Sequence, residues 1–512
     1  MTRSDKAKLG AVFIFIALLV FWIKGCILLD PDFGWRVRSG GLILTEGIQK
    51  TDPFTYSMPS FPWVDHAWII SVVFAFFYPM VGRVGLSFML ALIAFCAIIL
   101  SVSRKGETGE KILAKKSLGG DYRFLGSVSF LLSLSVILPY FGIRAQVVSW
   151  LMLAVFLRVL FDDLLWKKWR FAVPPFFLIW ANLHGGFASG LMILLFVKAV
   201  GFFGKRKVNT TDLIVIAASF IFTLANPYGK GAWLEVWSSI SDSSLRWSIN
   251  EWMPAFFSMN FPLLVYIALS SSLIVRYKRK FAPEELALFF IFLLQGILST
   301  RHIPLWIIIS APVLSSSLGY FYYEVSKDKI ALSRFAVSYR YLFIVVLFLF
   351  MLQLILSMSG SKKLSESSYY PREAINYLRS NETSGELFSN YNWGGYLIWK
   401  YPEKKVYIDG RMPSWRWDGA PEKESGAAYD EYKNILTGES DYRLVFEKYG
   451  VDSVLWFAPR QPSAYGLITK KLENLLLRPE KEEEFDFIDK LKEDGWLVVY
   501  QDDIAVVYRK NN

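Results

Sequence analysis

Long apolar runs separated by short polar connectors fill the first 358 residues of the chain. About 20 apolar residues in a helix cross a ~30 Å hydrocarbon core. The pattern therefore predicts about eleven membrane-spanning helices, at residues 10–29, 85–103, 124–141, 146–162, 171–184, 187–203, 211–226, 261–276, 285–300, 303–323 and 341–358. The apolar stretch 67–81 could form another crossing, but counting it would reverse every later connector. We interpret it as re-entrant, interfacial or strongly tilted.

Lysine and arginine are concentrated in alternate connectors. These basic connectors lie at residues 104–123, 166–170, 204–207, 276–280 and 327–340. Short loops rich in Lys and Arg stay in the cytoplasm, so the other connectors, including the loop 30–66, face the outside. The basic start of the chain places the N-terminus in the cytoplasm, and the last span delivers residues 359–512 to the outer side.

Residues 359–512 have a different pattern from the rest. Strands are predicted at residues 385–391, 405–411, 452–458, 496–502 and 504–510, with helices at 429–449 and 465–493. This alternation is typical of a small α/β domain. The fold class is therefore a polytopic α-helical membrane protein, residues 1–358, with a C-terminal extracytoplasmic α/β domain, residues 359–512.

Composition supports an integral membrane protein and excludes several other classes. Hydrophobic residues make up 54% of the chain and charged residues only 20%, with a mean hydropathy of +0.33. The net charge of +11 is spread over the connectors, so we expect a lipid bilayer, and no nucleic acid, as partner. Cys26 and Cys96 lie in apolar runs and provide no disulfide framework. The predicted location is the inner (plasma) membrane.

Polar side chains that could carry chemistry gather on the predicted outer side, at the ends of spans. All three histidines, His66, His184 and His302, fall there. Acid–base work on a hydroxyl needs a carboxylate, and the departure of a phosphate needs cationic donors. The candidates are catalytic Asp30 and Asp32, phosphate-binding Arg144, Arg301, His302 and His184, and acceptor- or sugar-binding Asp65, His66 and Glu251. Lys24, Arg158 and Lys198 interrupt spans, but such side chains can reach an interface, so no catalytic role is assigned to them.

Three stretches of the first outer loop resemble a known family. They are "LDPDFGWRVRSGG" (29–41), "GIQKTDPFTYS" (47–57) and "WVDHAW" (63–68). They resemble the GT-C superfamily of membrane glycosyltransferases, and the pattern D-P-x-F-x-x-R is similar to the catalytic subunit of oligosaccharyltransferase. The resemblance implies a polyprenyl-phosphate-linked sugar donor and an acidic catalytic base directly after the first span. Asp30 or Asp32 occupies that place.

Two further stretches belong to the C-terminal domain, "NYNWGGYLIW" (390–399) and "YIDGRMPSW" (407–415). Trp393 and Tyr396, with Asp409 and Arg411, could receive a sugar or an acceptor hydroxyl. The order resembles the W-W-D-Y-G segment of oligosaccharyltransferases, but the acidic residue of that segment is missing here. A structural element with an internal Asp–Arg pair explains the same residues, and both interpretations stay open.

Two classes of function fit these observations. The first is inverting transfer of a sugar to a glycan, lipid or protein acceptor, at a hydroxyl or an amide. The second is a transporter or flippase of a lipid-linked glycan intermediate. No clear internal repeat occurs and the candidate polar groups lie at span ends, which favours the enzyme. The cofactor is left open, because Asp30 and Asp32 offer oxygen ligands suited to Mg²⁺ or Mn²⁺, whereas other members of the superfamily need no metal.

Overall fold

The computed structural model describes residues 3–104, 121–205, 209–242, 249, 251–258, 260–382, 384–459 and 486–510. Cα packing divides the chain into two compact units. The first unit comprises Met1–Asp30, Ser39–Ile48 and Val64–Leu364. The second unit comprises Pro31–Arg38, Gln49–Trp63 and Ser365–Asn512, and so includes parts of the loop 30–66 that the sequence placed in the membrane domain.

The regular secondary structure among the described residues of the first unit is helical. Its helices are Arg3–Ile27, Trp68–Val102, Asp121–Ile137, Gln146–Leu160, Asp163–Trp169, Val173–Leu183, Phe187–Lys205, Thr210–Thr223, Gly231–Ser241, Phe261–Tyr277, Pro283–Leu298, Ile303–Val325 and Lys329–Lys363. The helix Ile303–Val325 is central, since it packs on six other α-helices and 83% of its most apolar stretch is buried. Its small side chains, among them Ser310 and Ala311, have no exposed surface and allow this close packing.

Five helices among the described residues are long and apolar enough to cross a membrane. They are Trp68–Val102, Phe187–Gly204, Phe261–Lys280, Thr300–Val325 and Ile330–Lys363, and four shorter apolar helices accompany them. This is the composition of a polytopic helical membrane protein. The prediction of about eleven spans goes beyond these five.

The apolar stretch 67–81 belongs to the same helix as the predicted span 85–103. The helix Trp68–Val102 is broken at Gly82, whose φ of +61° and ψ of −168° are not helical. A side chain is strained in this region of backbone conformation, and glycine is not. The break changes the direction of the chain immediately before Arg83.

The second unit contains a four-stranded mixed sheet. Its strands are β1 (Glu386–Ser389), β2 (Val451–Phe457), β3 (Trp496–Gln501) and β4 (Ala505–Lys510). The order in the sheet is β1-β2-β4-β3, with β1 parallel to β2 and the other pairs antiparallel. Its helices are Glu366–Tyr369, Arg372–Ser380, Gly394–Lys400, Ala428–Thr437, Tyr442–Tyr449 and Phe487–Glu493.

Four of the five predicted strands are present. The fifth, at 405–411, makes only an isolated parallel bridge between Val406 and Thr55. The predicted helix 429–449 is two helices, because Gly438 adopts a left-handed conformation with φ +73° and ends the first of them. Most of the predicted helix 465–493 lies outside the described residues.

The loop 30–66 contains a helix, Phe33–Glu46, that the sequence did not predict. In the second unit its first turn packs closely on the helix Gly394–Lys400. A Cβ on Gly34 would lie 2.2 Å from the Gly395 carbonyl oxygen, and a Cβ on Gly395 would lie 2.2 Å from the Pro31 carbonyl oxygen. The two glycines of "NWGG" and the glycine of "DFGW" therefore serve a backbone contact.

Candidate functional site

Three charged side chains from distant parts of the first unit form one ion-pair chain. Arg144 donates from Nε to Asp30 and from a terminal nitrogen to Glu251. Asp30 follows the first helix, Arg144 precedes the helix Gln146–Leu160, and Glu251 lies in a turn before the helix Phe261–Tyr277. The sequence placed all three on one membrane face, and the structure brings them into contact.

The Glu251 turn is held by the turn that begins the helix Ile303–Val325. The Glu251 carbonyl oxygen accepts the Arg301 N–H at 2.9 Å and the Thr300 hydroxyl at 2.9 Å. Burial alone would raise the pKa of Glu251, but the guanidinium groups of Arg144 and Arg301 outweigh it, and the pKa lies below its usual value. Glu251 is therefore a carboxylate at neutral pH, which suits a partner of two arginines.

Trp252 stands between two candidate phosphate-binding side chains. The Arg301 guanidinium lies over the Trp252 ring, 5.1 Å from its centroid, and the His302 ring meets it edge-on at 6.1 Å. No described carboxylate forms a salt bridge with Arg301, and the buried His302 Nδ1 has no hydrogen-bond partner among the described residues. Arg301 and His302 thus lie next to the Glu251 end of the Asp30–Arg144–Glu251 chain, and their predicted phosphate-binding role stays a prediction.

Asp32, the alternative catalytic acid, belongs to the second unit and has other surroundings. Its Oδ1 accepts the indole N–H of Trp35 at 3.0 Å. The same oxygen would lie 2.9 Å from a Cβ at Gly410, so the carboxylate faces the backbone there. These contacts are those of a side chain that fixes a turn.

Asp65 and two histidines form a second polar group in the first unit. Asp65 is 1% exposed and accepts hydrogen bonds from the hydroxyls of Ser39 and Ser71 and from the Ala67 N–H. The His66 and His184 rings meet edge-on, with centroids 5.5 Å apart. The contacts of Asp65 hold the start of the helix Trp68–Val102, so its predicted acceptor-binding role stays a prediction.

The hydrogen bonds of His184 fix its tautomer. Nδ1 accepts the Gly186 N–H at 3.0 Å and lies 2.9 Å from the Ser149 hydroxyl, whose oxygen accepts the Trp180 indole N–H. An Nδ1 that accepts a hydrogen bond carries no proton, so the ring proton is on Nε2. His184 is thus a neutral hydrogen-bond donor through Nε2.

The predicted aromatic site of the second unit is buried. Trp393 has no exposed surface and donates to the Tyr369 carbonyl oxygen at 2.9 Å. Tyr396 is 2% exposed, packs on Tyr370 and donates to Glu366 at 3.2 Å. Both rings are committed to the packing of this unit, which favours the structural interpretation of the segment.

Asp409 and Arg411 are also internal. The Arg411 side chain is 3% exposed, donates twice to Asp409 and once to Asp52, and lies under four aromatic rings. Its burial alone would lower its pKa, but the two carboxylates raise it above the usual value. Arg411 is thus paired inside the unit with two carboxylates, and nothing in the sequence pattern indicated Asp52 as the third member.

The sequence left open whether Asp30 and Asp32 hold a metal ion. Within the described part of the chain, no three His, Cys, Asp or Glu side chains are placed to hold one ion. Asp30 pairs with Arg144 and Asp32 accepts the Trp35 N–H. We derive no reaction step through Mg²⁺ or Mn²⁺.

Lys24, which the sequence pattern linked to no catalytic role, lies near the candidate site. It was expected to extend to an interface, but it is 2% exposed and donates to the carbonyl oxygens of Phe141 and Pro139. The signal for this role in the sequence was the position of the lysine, which lies in the last turn of an apolar helix and six residues before an aspartate.

Comparison with solved structures identifies the fold. The crystal structure of the Archaeoglobus fulgidus oligosaccharyltransferase in the apo form matches with a TM-score of 0.54 and 12% sequence identity, over 87% of this chain and 69% of that chain. No protein-family model and no curated protein sequence matches the chain. The predicted GT-C resemblance is confirmed at the level of the fold.

Proposed function

We propose that this protein is a membrane glycosyltransferase that moves a sugar from a polyprenyl-phosphate-linked donor to an acceptor hydroxyl or amide on the outer face of the membrane. Its fold is that of an oligosaccharyltransferase. The observation that carries the proposal is the placement of Arg301, which lies over Trp252 and acts on Glu251, at one end of the ion-pair chain that includes Asp30. The His302 ring meets the same indole, and its Nδ1 has no hydrogen-bond partner among the described residues.

In the proposed reaction Asp30 is the general base. It takes the proton of the acceptor while the acceptor oxygen or nitrogen forms a bond to the anomeric carbon of the sugar. The bond between that carbon and the phosphate oxygen breaks, and its electron pair leaves with the polyprenyl phosphate. A single displacement of this kind inverts the anomeric configuration.

Arg301 and His302 are the groups that serve the leaving phosphate. Arg301 donates N–H groups to the phosphate oxygens, and its contact with Trp252 fixes the plane of the guanidinium. His302 supplies a ring nitrogen next to it. Arg144 orients Asp30 and is itself held by Glu251. Stabilisation of charge that develops on the leaving group is a large contribution to catalysis in a site shielded from water.

Separate substitutions test the base and the phosphate site in purified protein. Asp30→Asn should reduce sugar transfer from a synthetic undecaprenyl-phosphate-linked sugar by about 100-fold or more, with binding of undecaprenyl phosphate retained. Arg301→Gln should weaken that binding. Asp32→Asn keeps an oxygen for the Trp35 N–H and should retain transfer.

The matched control is Arg276→Gln, which removes an exposed arginine paired with Glu324 at 2.9 Å. It should change neither binding nor transfer. Transfer at the normal rate in Asp30→Asn would refute the assigned base. Binding of the donor without any product in the unsubstituted protein would favour the transporter instead.

A further inference from the structure

A buried ammonium group ties the first helix to the turn that carries Arg144. Lys24 lies in the last turn of Arg3–Ile27, and its Nζ donates to the Phe141 carbonyl oxygen and, at 3.3 Å, to that of Pro139. A buried lysine among apolar spans is costly unless its charge has partners. These carbonyls follow the helix Asp121–Ile137, where backbone acceptors lack helical donors and attract cations.

This contact joins the two chain segments that carry Asp30 and Arg144. Asp30 comes six residues after Lys24, and Arg144 comes three residues after Phe141. The Leu28 N–H donates to the Lys24 carbonyl oxygen at 2.9 Å, and the Arg144 N–H donates to that of Gly142 at 2.9 Å. The Asp30–Arg144 ion pair and the contact of Lys24 with the Phe141 carbonyl oxygen therefore link the same two segments at two points.

A second cation holds the segment between Lys24 and Asp30. Arg83 follows the break at Gly82 and donates to the carbonyl oxygens of Cys26 at 2.8 Å and Leu28 at 3.3 Å. The next N–H, that of Leu29, donates to the Leu364 carbonyl oxygen at 3.2 Å. The backbone that leads into Asp30 is therefore held at Cys26, Leu28 and Leu29.

We infer that Lys24 and Arg83 are positioning residues for Asp30. Lys24 sets the distance between the segment bearing Asp30 and the turn bearing Arg144, and Arg83 sets the direction in which the chain leaves the first helix. Both side chains act through their contacts with backbone carbonyl oxygens. The inference rests on the proposed function for the role of Asp30, but the placement of Asp30 by these two cations can be tested without it.

The first test compares Lys24→Met, which keeps the length and loses the charge, with Lys24→Arg, which keeps the charge and the donors. Lys24→Met should lower kcat/KM for sugar transfer by about 100-fold, because a 1 Å misplacement has an effect of this size. Lys24→Arg should restore most of it. Lys198→Met is the control, since Lys198 also interrupts an apolar helix but pairs with Asp212.

The pH profile separates positioning from general destabilisation. Among the described residues, Arg144 pairs with Asp30 and Glu251 pairs with Arg144, while Lys24 in the segment before Asp30 interacts with it electrostatically. Because Lys24→Met removes one cation, the acidic limb of its pH profile of kcat/KM should move to higher pH. The limb should stay in place in Lys24→Arg and in Lys198→Met. An unmoved limb with normal kcat/KM in Lys24→Met would overturn the inference.

A thermal cycle tests the placement without any substrate. Melting temperatures are measured for Lys24→Met, Asp30→Asn and the double variant in the full chain. Because both side chains fix the same turn, the double variant should lose less than the sum of the single losses. Additive losses would overturn the inference even if transfer is observed, and coupled losses without transfer by the unsubstituted protein would count against the proposed function alone.

Arg83→Gln extends the test if Lys24→Met does not accumulate. It removes the two-carbonyl contact and leaves Lys24 in place. A folded Arg83→Gln protein with kcat/KM reduced about tenfold or more supports the inference, and one with normal kcat/KM contradicts it. Failure of Lys24→Met, Lys24→Arg and Arg83→Gln to fold would show a purely structural role and would equally contradict it.

Discussion

Asp52 and Arg411 form an ion pair at 2.7 Å although 359 residues separate them, and the two side chains are 0% and 3% exposed. Asp409 completes the group from the other side. This triad joins the segment Gln49–Trp63 to the C-terminal part of the second unit. The triad therefore stabilises that unit, and its loss should lower the free energy of unfolding.

Arg411→Met should destabilise the protein by about 3–5 kcal/mol, because it leaves two buried carboxylates without their counter-charge. Chemical unfolding of the full chain measures this loss. Arg443→Met is the control, since Arg443 pairs with Asp441 on the surface, where water screens the charges, and its loss should cost far less stability. Equal losses in the two variants would show that the triad contributes nothing special.

Gly34→Ala should prevent the packing of the helix Phe33–Glu46 on the helix Gly394–Lys400. The added Cβ would lie 2.2 Å from a backbone oxygen, which cannot move aside as a flexible side chain could. Gly41→Ala, in the same helix, has nothing within 4 Å and should be neutral or stabilise by up to about 1 kcal/mol. The test compares the melting temperatures of the two variants, and similar values would contradict the close contact.

Glu235→Gln should change how stability depends on pH. Burial raises the pKa of Glu235 from its usual value near 4.5 to about 7. Between these values the folded protein keeps a proton that the unfolded chain has lost, so stability falls as pH rises. The melting temperature should be similar in the two proteins near pH 4.5, and the variant should become the more stable one as pH increases to 8. A constant difference across this range would refute the raised pKa.

Ser149→Ala should disturb the hydrogen bonds that set the His184 tautomer. It removes the acceptor of the buried Trp180 N–H, which should cost about 1–3 kcal/mol. Ser272→Ala removes an exposed hydroxyl that bonds only to its own helix, and should leave stability within about 0.5 kcal/mol. Thermal unfolding measures both, and an unaffected Ser149→Ala would show that Trp180 finds another partner.

The apolar pattern predicted the helices well where hydrophobic length decides. Local sequence predicts the first helix and the C-terminal strands. It also predicts the change from apolar helices to a mixed helix and strand pattern after the last long helix. The helix Phe33–Glu46 could not be predicted, because its charges and glycines resemble a loop. What makes it helical is tertiary packing, such as the contact of Gly34 with Gly395.

The candidate site was predicted in part. Topology alone indicated that Asp30, Arg144 and Glu251 would share one face, and they are in contact. Topology could not distinguish Asp30 from Asp32, because two residues in a turn differ only in which neighbours they meet. Nor could it show that Trp393, Tyr396, Asp409 and Arg411 are buried, since an aromatic cluster with a charge pair has the same composition in a binding site and in a core.

The second unit draws its segments from both ends of the chain, and this has a consequence during synthesis. At about 5–20 residues per second, the ribosome needs about 20–70 s to travel the 359 residues from Asp52 to Arg411. During that time the nascent chain contains Asp52, but Arg411, which pairs with it, has not yet been synthesised. We expect chains that terminate before Arg411 to be degraded quickly, and the C-terminal fragment expressed alone to need the segment 49–63 supplied as a separate peptide.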